Sequence, residues 1–76
     1  MKTIKSIEVN FGLINHEHHL SNGEGLALTQ QCKLKGIAHM KNEMRRQIRP
    51  NLAESQDMDI KEIPFNEIKI KFKYNV

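Results

Sequence analysis

Apolar side chains alternate with polar ones along Ile7, Val9, Phe11 and Leu13, with Glu8, Asn10 and Gly12 between them. That period of two marks a strand with one buried face, and it commits a short chain to building a sheet. A second alternating run follows at Leu26, Leu28, Gln30, Cys32 and Leu34. Between the runs stands Asn22-Gly23, a pair suited to a two-residue type I′ turn because both central positions need positive φ. With that pair as the turn, His19 faces Leu26, Leu13 faces Cys32 and Phe11 faces Leu34. The two apolar sets then share a face, and a slip of one residue would separate them.

The competing assignment is a helix from about Leu28. On a 3.6-residue wheel, however, Leu28 and Cys32 lie opposite the face made by Ile37, Met40, Met44 and Ile48. The helix is therefore expected over 36–49, ended by Pro50, which lacks the N–H to continue the ladder and restricts the residue before it. A polar connection over 50–62 leads to a final strand over 63–75, where Ile68, Ile70, Phe72 and Tyr74 alternate with Lys69, Lys71 and Lys73. The opposite parity of Ile63 and Phe65 places a bulge or bend near Asn66.

The expectation is one α+β domain over 1–76, ordered ββαβ. Strands 3–15 and 26–35 flank a hairpin tip at 16–25, and the last strand docks beside the first. The sheet is then antiparallel, in the order 2-1-3, with the single helix on one face.

A chain of 76 residues buries a thin core, about 60% of its unfolded surface, which leaves little room for a deep catalytic cleft. No stretch approaches the roughly 20 apolar residues of a membrane span, and the amino terminus has no apolar run before a small-residue cleavage site. Cys32 is the one cysteine, which excludes an internal disulfide and a zinc site of the C-x-x-C type. These features point to a cytoplasmic protein.

The run His16, Glu17, His18, His19 invites a metal reading. In the hairpin register His16 and His18 are two apart on a strand and share its polar face, a geometry that supplies two of the three or four ligands zinc needs. His39 is expected on the helix, over the opposite face, and Cys32 points into the core. The zinc-protease order H-E-x-x-H is absent. The histidines are therefore expected to decorate a solvated tip, with His16 and His18 the only metal candidates and no cofactor implied.

Catalytic sets are equally incomplete. An inward Cys32 has no exposed thiolate to offer. Glu54, Asp57, Asp59 and Glu62 fall in one polar stretch rather than converging on a pocket, and Gly23-Glu24-Gly25 matches no phosphate-binding loop. The chain is expected not to be an enzyme.

Charge is the stronger lead, although a net +3 is modest. Lys33 and Lys35 with Lys69, Lys71 and Lys73 add positive charge to the open face of the sheet as one candidate surface. Lys35, His39, Asn42, Arg46 and Arg49 follow helical spacing and form a second, an outward and mostly basic stripe. Such a stripe suits a protein or nucleoprotein partner, or nucleic acid directly, although basic residues late in a helix also oppose its dipole without any ligand. Lysines on edge strands likewise guard against edge-to-edge association. The expected function is that of a small accessory or regulatory binding protein, of which a phage-type inhibitor is one version. Lys41 intrudes near the core face of the helix, so a second copy or a partner protein is expected to complete its cover, and a homodimer is the expected state.

Overall fold

The computed structural model describes residues 2–76. Its elements are β1 (Ile4–Phe11), β2 (Ile14–His19), α1 (Asn22–Lys35), α2 (Ile37–Ser55) and β3 (Lys69–Tyr74). Two single-turn 3-10 helices, Ile60–Glu62 and Phe65–Glu67, lie between α2 and β3. The strands form one antiparallel sheet in the order β2-β1-β3. The α+β class and the strand order agree with expectation, but there are two helices instead of one.

The hairpin closes ten residues earlier than Asn22-Gly23. Phe11 pairs with Ile14, leaving Gly12 and Leu13 as the turn, and Gly12 has φ of +57°. A glycine with positive φ at the first central position suits a two-residue turn that follows the strand twist. Leu13 is consequently fully exposed rather than buried, and the alternation begun by Ile7 and Val9 resumes at Ile14, His16 and His18.

Residues 26–35, expected as a strand, are helical because a stronger local signal precedes them. Ser21 accepts a hydrogen bond from the Glu24 backbone N–H at 3.2 Å, and the Glu24 carboxylate accepts one from the Ser21 N–H at 3.0 Å. This reciprocal capping box satisfies two donors that a helix start would otherwise leave unpaired, and it places Asn22 and Gly23 inside the first turn of α1. Gly25, Thr29 and Cys32 form the buried face, at helical spacing. At Gly25 α1 touches β1: a Cβ there would fall on the Ile4 carbonyl oxygen.

The wheel mismatch between Leu28/Cys32 and Met40/Met44 has a simple cause. Gly36, at φ +94° and ψ +147°, separates α1 from α2, and the faces belong to different helices. α2 also continues through Pro50 to Ser55 rather than stopping at Arg49. Pro50 and Arg46, whose carbonyl loses its helical donor, are both exposed. The extra turn buries Leu52 and Ala53, which offsets the local disruption.

The core joins Ile4, Val9, Ile70 and Phe72 of the sheet to Cys32 of α1 and to Met40, Leu52 and Ala53 of α2. Ile63 and Ile68, fully buried, anchor the connection between α2 and β3. This segment was expected as the first half of a strand; it is instead irregular with 3-10 turns, and β3 begins at Lys69. Two arginines hold it to α2. Arg45 Nε donates to the Ile68 carbonyl at 2.7 Å and Arg49 Nε to the Ile63 carbonyl at 2.8 Å. Lys41 does lean toward the core side, with its ammonium 5.7 Å from the centroid of the Phe72 ring, a cation–π distance.

Candidate binding groove and charged surfaces

α2 packs toward β3 and the 3-10 turns, and it leaves the inner side of β2 uncovered. The result is a groove of about 560 Å³. Its floor is Ile7 and Val9 of β1 with Ile14, His16 and His18 of β2. Its wall is one face of α2, where Met44, Ile48 and Leu52 supply apolar surface and Gln47, Asn51 and Ser55 supply polar groups at the same helical spacing. An apolar trough with a few polar side chains is the usual composition of a binding site.

His16 and His18 therefore face the helix side, which corrects their expected place on the polar face. In the register Val9 pairs with His16 and Ile7 with His18, so both imidazoles share the side of the core residues. They remain exposed there because no element of the described chain lies over them. Among the described residues no group of three or more His, Cys, Asp and Glu side chains could hold a metal ion within one chain. His39 lies on α2, exposed, with its Nε2 3.0 Å from Glu43 Oε1 one turn on.

The outer face of the sheet carries Glu8, Asn10, Glu17, His19, Lys69, Lys71 and Lys73. Lys73 Nζ lies 2.9 Å from a Glu17 oxygen and 3.1 Å from a Glu8 oxygen, bridging the two other strands. Hydrogen bonds from Asn10 and Lys73 hold the Glu8 carboxyl below its ordinary range. Lys73 does the same to Glu17, with the Ser6 hydroxyl adding a weaker pull. Ser6 Oγ is buried in line with His19 and Lys73 and forms no hydrogen bond among the described residues. The two carboxylates in turn raise Lys73. This face is a mixed-charge lattice rather than the second basic surface that the strand lysines suggested.

The structure disperses the basic stripe over two helices. Lys33 and Lys35 end α1, while His39, Asn42, Arg46 and Arg49 belong to α2. Asn42 accepts a hydrogen bond from Arg45 at 2.8 Å and Arg49 is half-buried on the Ile63 carbonyl; Lys33, Lys35, Arg46 and His39, the last beside Glu43, lie at the surface. Around the Gly36 elbow two apolar residues are also left out: Leu34 is 80% exposed and Ile37 47%. The alternation of sequence 33–37 thus yields a surface both basic and apolar. Cys32, by contrast, is buried, and burial pushes its thiol up, away from the reactive thiolate.

What sequence reasoning missed is the groove itself. Its signal was the run Ile14, His16, His18 continuing the parity of Ile7 and Val9 once Gly12-Leu13 is taken as the turn. No helix among the described residues is long and apolar enough to cross a membrane. Comparison with protein-family models, with curated proteins and with solved structures finds no match.

Proposed function

We propose that this is a small non-enzymatic accessory or regulatory binding protein of the cytoplasm, engaging an acidic protein or nucleoprotein partner through the elbow between α1 and α2. The observation that carries the reading is the exposure of Leu34 and Ile37 beside Lys33 and Lys35. Exposed apolar side chains rimmed by charge suit a partner surface: the apolar groups contribute affinity on burial and the cations contribute orientation and association rate. Arg46 continues the charge along α2.

A photo-crosslinking side chain at Leu34 tests this in cell extract. The reading requires a discrete protein adduct that disappears when Lys35 and Arg46 are changed to Glu. No adduct, or the same adduct from a probe at exposed Asn66, would count against it. Direct nucleic-acid contact is the second reading, supported by the exposed Lys35 and Arg46. It requires anisotropy-detected DNA or RNA binding that weakens steeply between about 50 and 200 mM salt, as counterion release dictates.

A further inference from the structure

The two edges of the sheet are built differently. β3 carries Lys69, Lys71 and Lys73, and its pairing with β1 is interrupted by an irregularity between Ile4 and Ser6. Lysines and bulges are the usual guards against pairing with another chain. β2, with the sequence Ile-Asn-His-Glu-His-His, has neither lysine nor proline, and its register with β1 runs without a break from Phe11/Ile14 to Ser6/His19. The edge left open is also the one whose inner side chains no helix covers.

The backbone direction along that edge follows from the ladder. The Leu20 N–H bonds to the Lys5 carbonyl at 2.9 Å, so pairs alternate from there and Ile7/His18 and Val9/His16 are the hydrogen-bonded ones. Asn15, Glu17 and His19 therefore direct their N–H and C=O groups away from β1. An antiparallel partner strand must meet these residues, and a second copy of β2 has the matching set at the same spacing.

We infer that two copies pair edge to edge through β2, about a two-fold axis at Glu17, and that this pairing assembles a site for a divalent cation of the zinc class. With Glu17 on the axis, His16 of each copy stands opposite His18 of the other on the groove side. These are non-hydrogen-bonded pairs, in which opposed Cα atoms are about 4.5 Å apart and side chains lie closest. Neighbouring inner-face residues along a strand are about 7 Å apart. Four imidazoles thus ring one point above the joined sheet. Each chain alone offers two ligands, whereas a closed tetrahedral zinc site takes four.

The surroundings agree with that assembly. On the outer face the two Glu17 side chains meet, and each arrives already bonded to its own Lys73, which offsets their repulsion. On the inner face Gln47, Asn51 and Ser55 line the same groove and are the polar groups at hand for the second nitrogens of the rings, the kind of contact that fixes imidazole orientation. The site leaves the α1–α2 elbow free, so it stands or falls independently of the partner proposed above.

The test uses untagged full-length chain, with mass measured by sedimentation in excess EDTA and in added Zn²⁺, and bound zinc measured on the isolated species. The expected result is a monomer in EDTA and a dimer with one zinc per two chains when metal is added. The variants His16→Asn and His18→Asn, at exposed positions, should keep the circular dichroism spectrum and lose zinc-dependent dimerisation. A chain that stays monomeric in zinc, a dimer indifferent to EDTA, one zinc per monomer, or dimerisation retained in both variants would each overturn the inference.

Discussion

Thr29 Oγ1 accepts the backbone N–H of Ile4 at 2.9 Å and donates to the Gly25 carbonyl at 2.7 Å, so one threonine ties the middle of α1 to the first residue of β1. Residue 4 lies beyond the stretch of β1 paired in regular register with β3, and its N–H finds its partner in a side chain instead. Thr29→Val preserves shape and removes the acceptor. It should lower stability by about 1–3 kcal/mol, the range for a buried donor left unpaired, measured by urea unfolding. Gly25→Ala should cost a similar amount because its methyl overlaps the Ile4 carbonyl and forces α1 off the sheet.

Arg45, Arg46 and Arg49 look alike in sequence, and the structure separates them. Arg45→Met and Arg49→Met should each cost about 1–3 kcal/mol by leaving the carbonyls of Ile68 and Ile63 without their donors. Arg46→Met, at an exposed position, should change stability by less than about 0.5 kcal/mol. Equal effects from all three would contradict the clamp assignment.

Gly36 lies at a φ of +94° with ψ +147°, near the region that only glycine occupies freely. Gly36→Ala should therefore destabilise by about 1–3 kcal/mol even though a Cβ there meets no atom within 4 Å. A neutral result in thermal unfolding would mean that the elbow has another geometry.

The Lys73 bridge makes a signed pH prediction. Glu8 and Glu17 titrate below their ordinary value of 4.5 in the folded chain, so their contribution is present above that pH and is lost as pH falls through the lowered values. Lys73 titrates above 10.5, so its contribution is present below that pH and is lost as pH rises through the raised value. The Tm difference between the natural chain and Lys73→Met should be widest between these limits and shrink below about pH 4.5. A difference that grows in acid would contradict the bridge.

The sequence displayed more of this fold than of its joints. The period of two in Ile7 and Val9 and in Ile70 and Phe72 marks β1 and β3 correctly, and the antiparallel 2-1-3 order holds with Ile14–His19 rather than 26–35 as its second strand. What failed was the choice between two local signals at residues 21–24. Asn22-Gly23 fits a turn, and Ser21 with Glu24 fits a capping box; the box satisfies two backbone donors, and the hairpin had a nearer turn at Gly12-Leu13. That one substitution of turns moved His16 and His18 from the outer face to the groove. Pro50 misled for a related reason: its local penalty was visible in sequence, whereas the burial of Leu52 and Ala53 beyond it was not. The basic residues were visible too, but whether an arginine reaches solvent or a backbone carbonyl depends on a connection whose path has no periodic signal.

The groove, the open edge and the elbow all depend on where the first hairpin closes, and the most direct measurement is the cross-strand contact map of β1 by NMR. Glu8 and Glu17 form a non-hydrogen-bonded pair in the present register, so their Hα protons should show a strong mutual cross-peak, with helical carbon shifts over 22–35. A cross-peak between His19 and Leu26 with extended shifts over 26–35 would place the turn at Asn22-Gly23 and contradict the fold on which the binding surfaces rest.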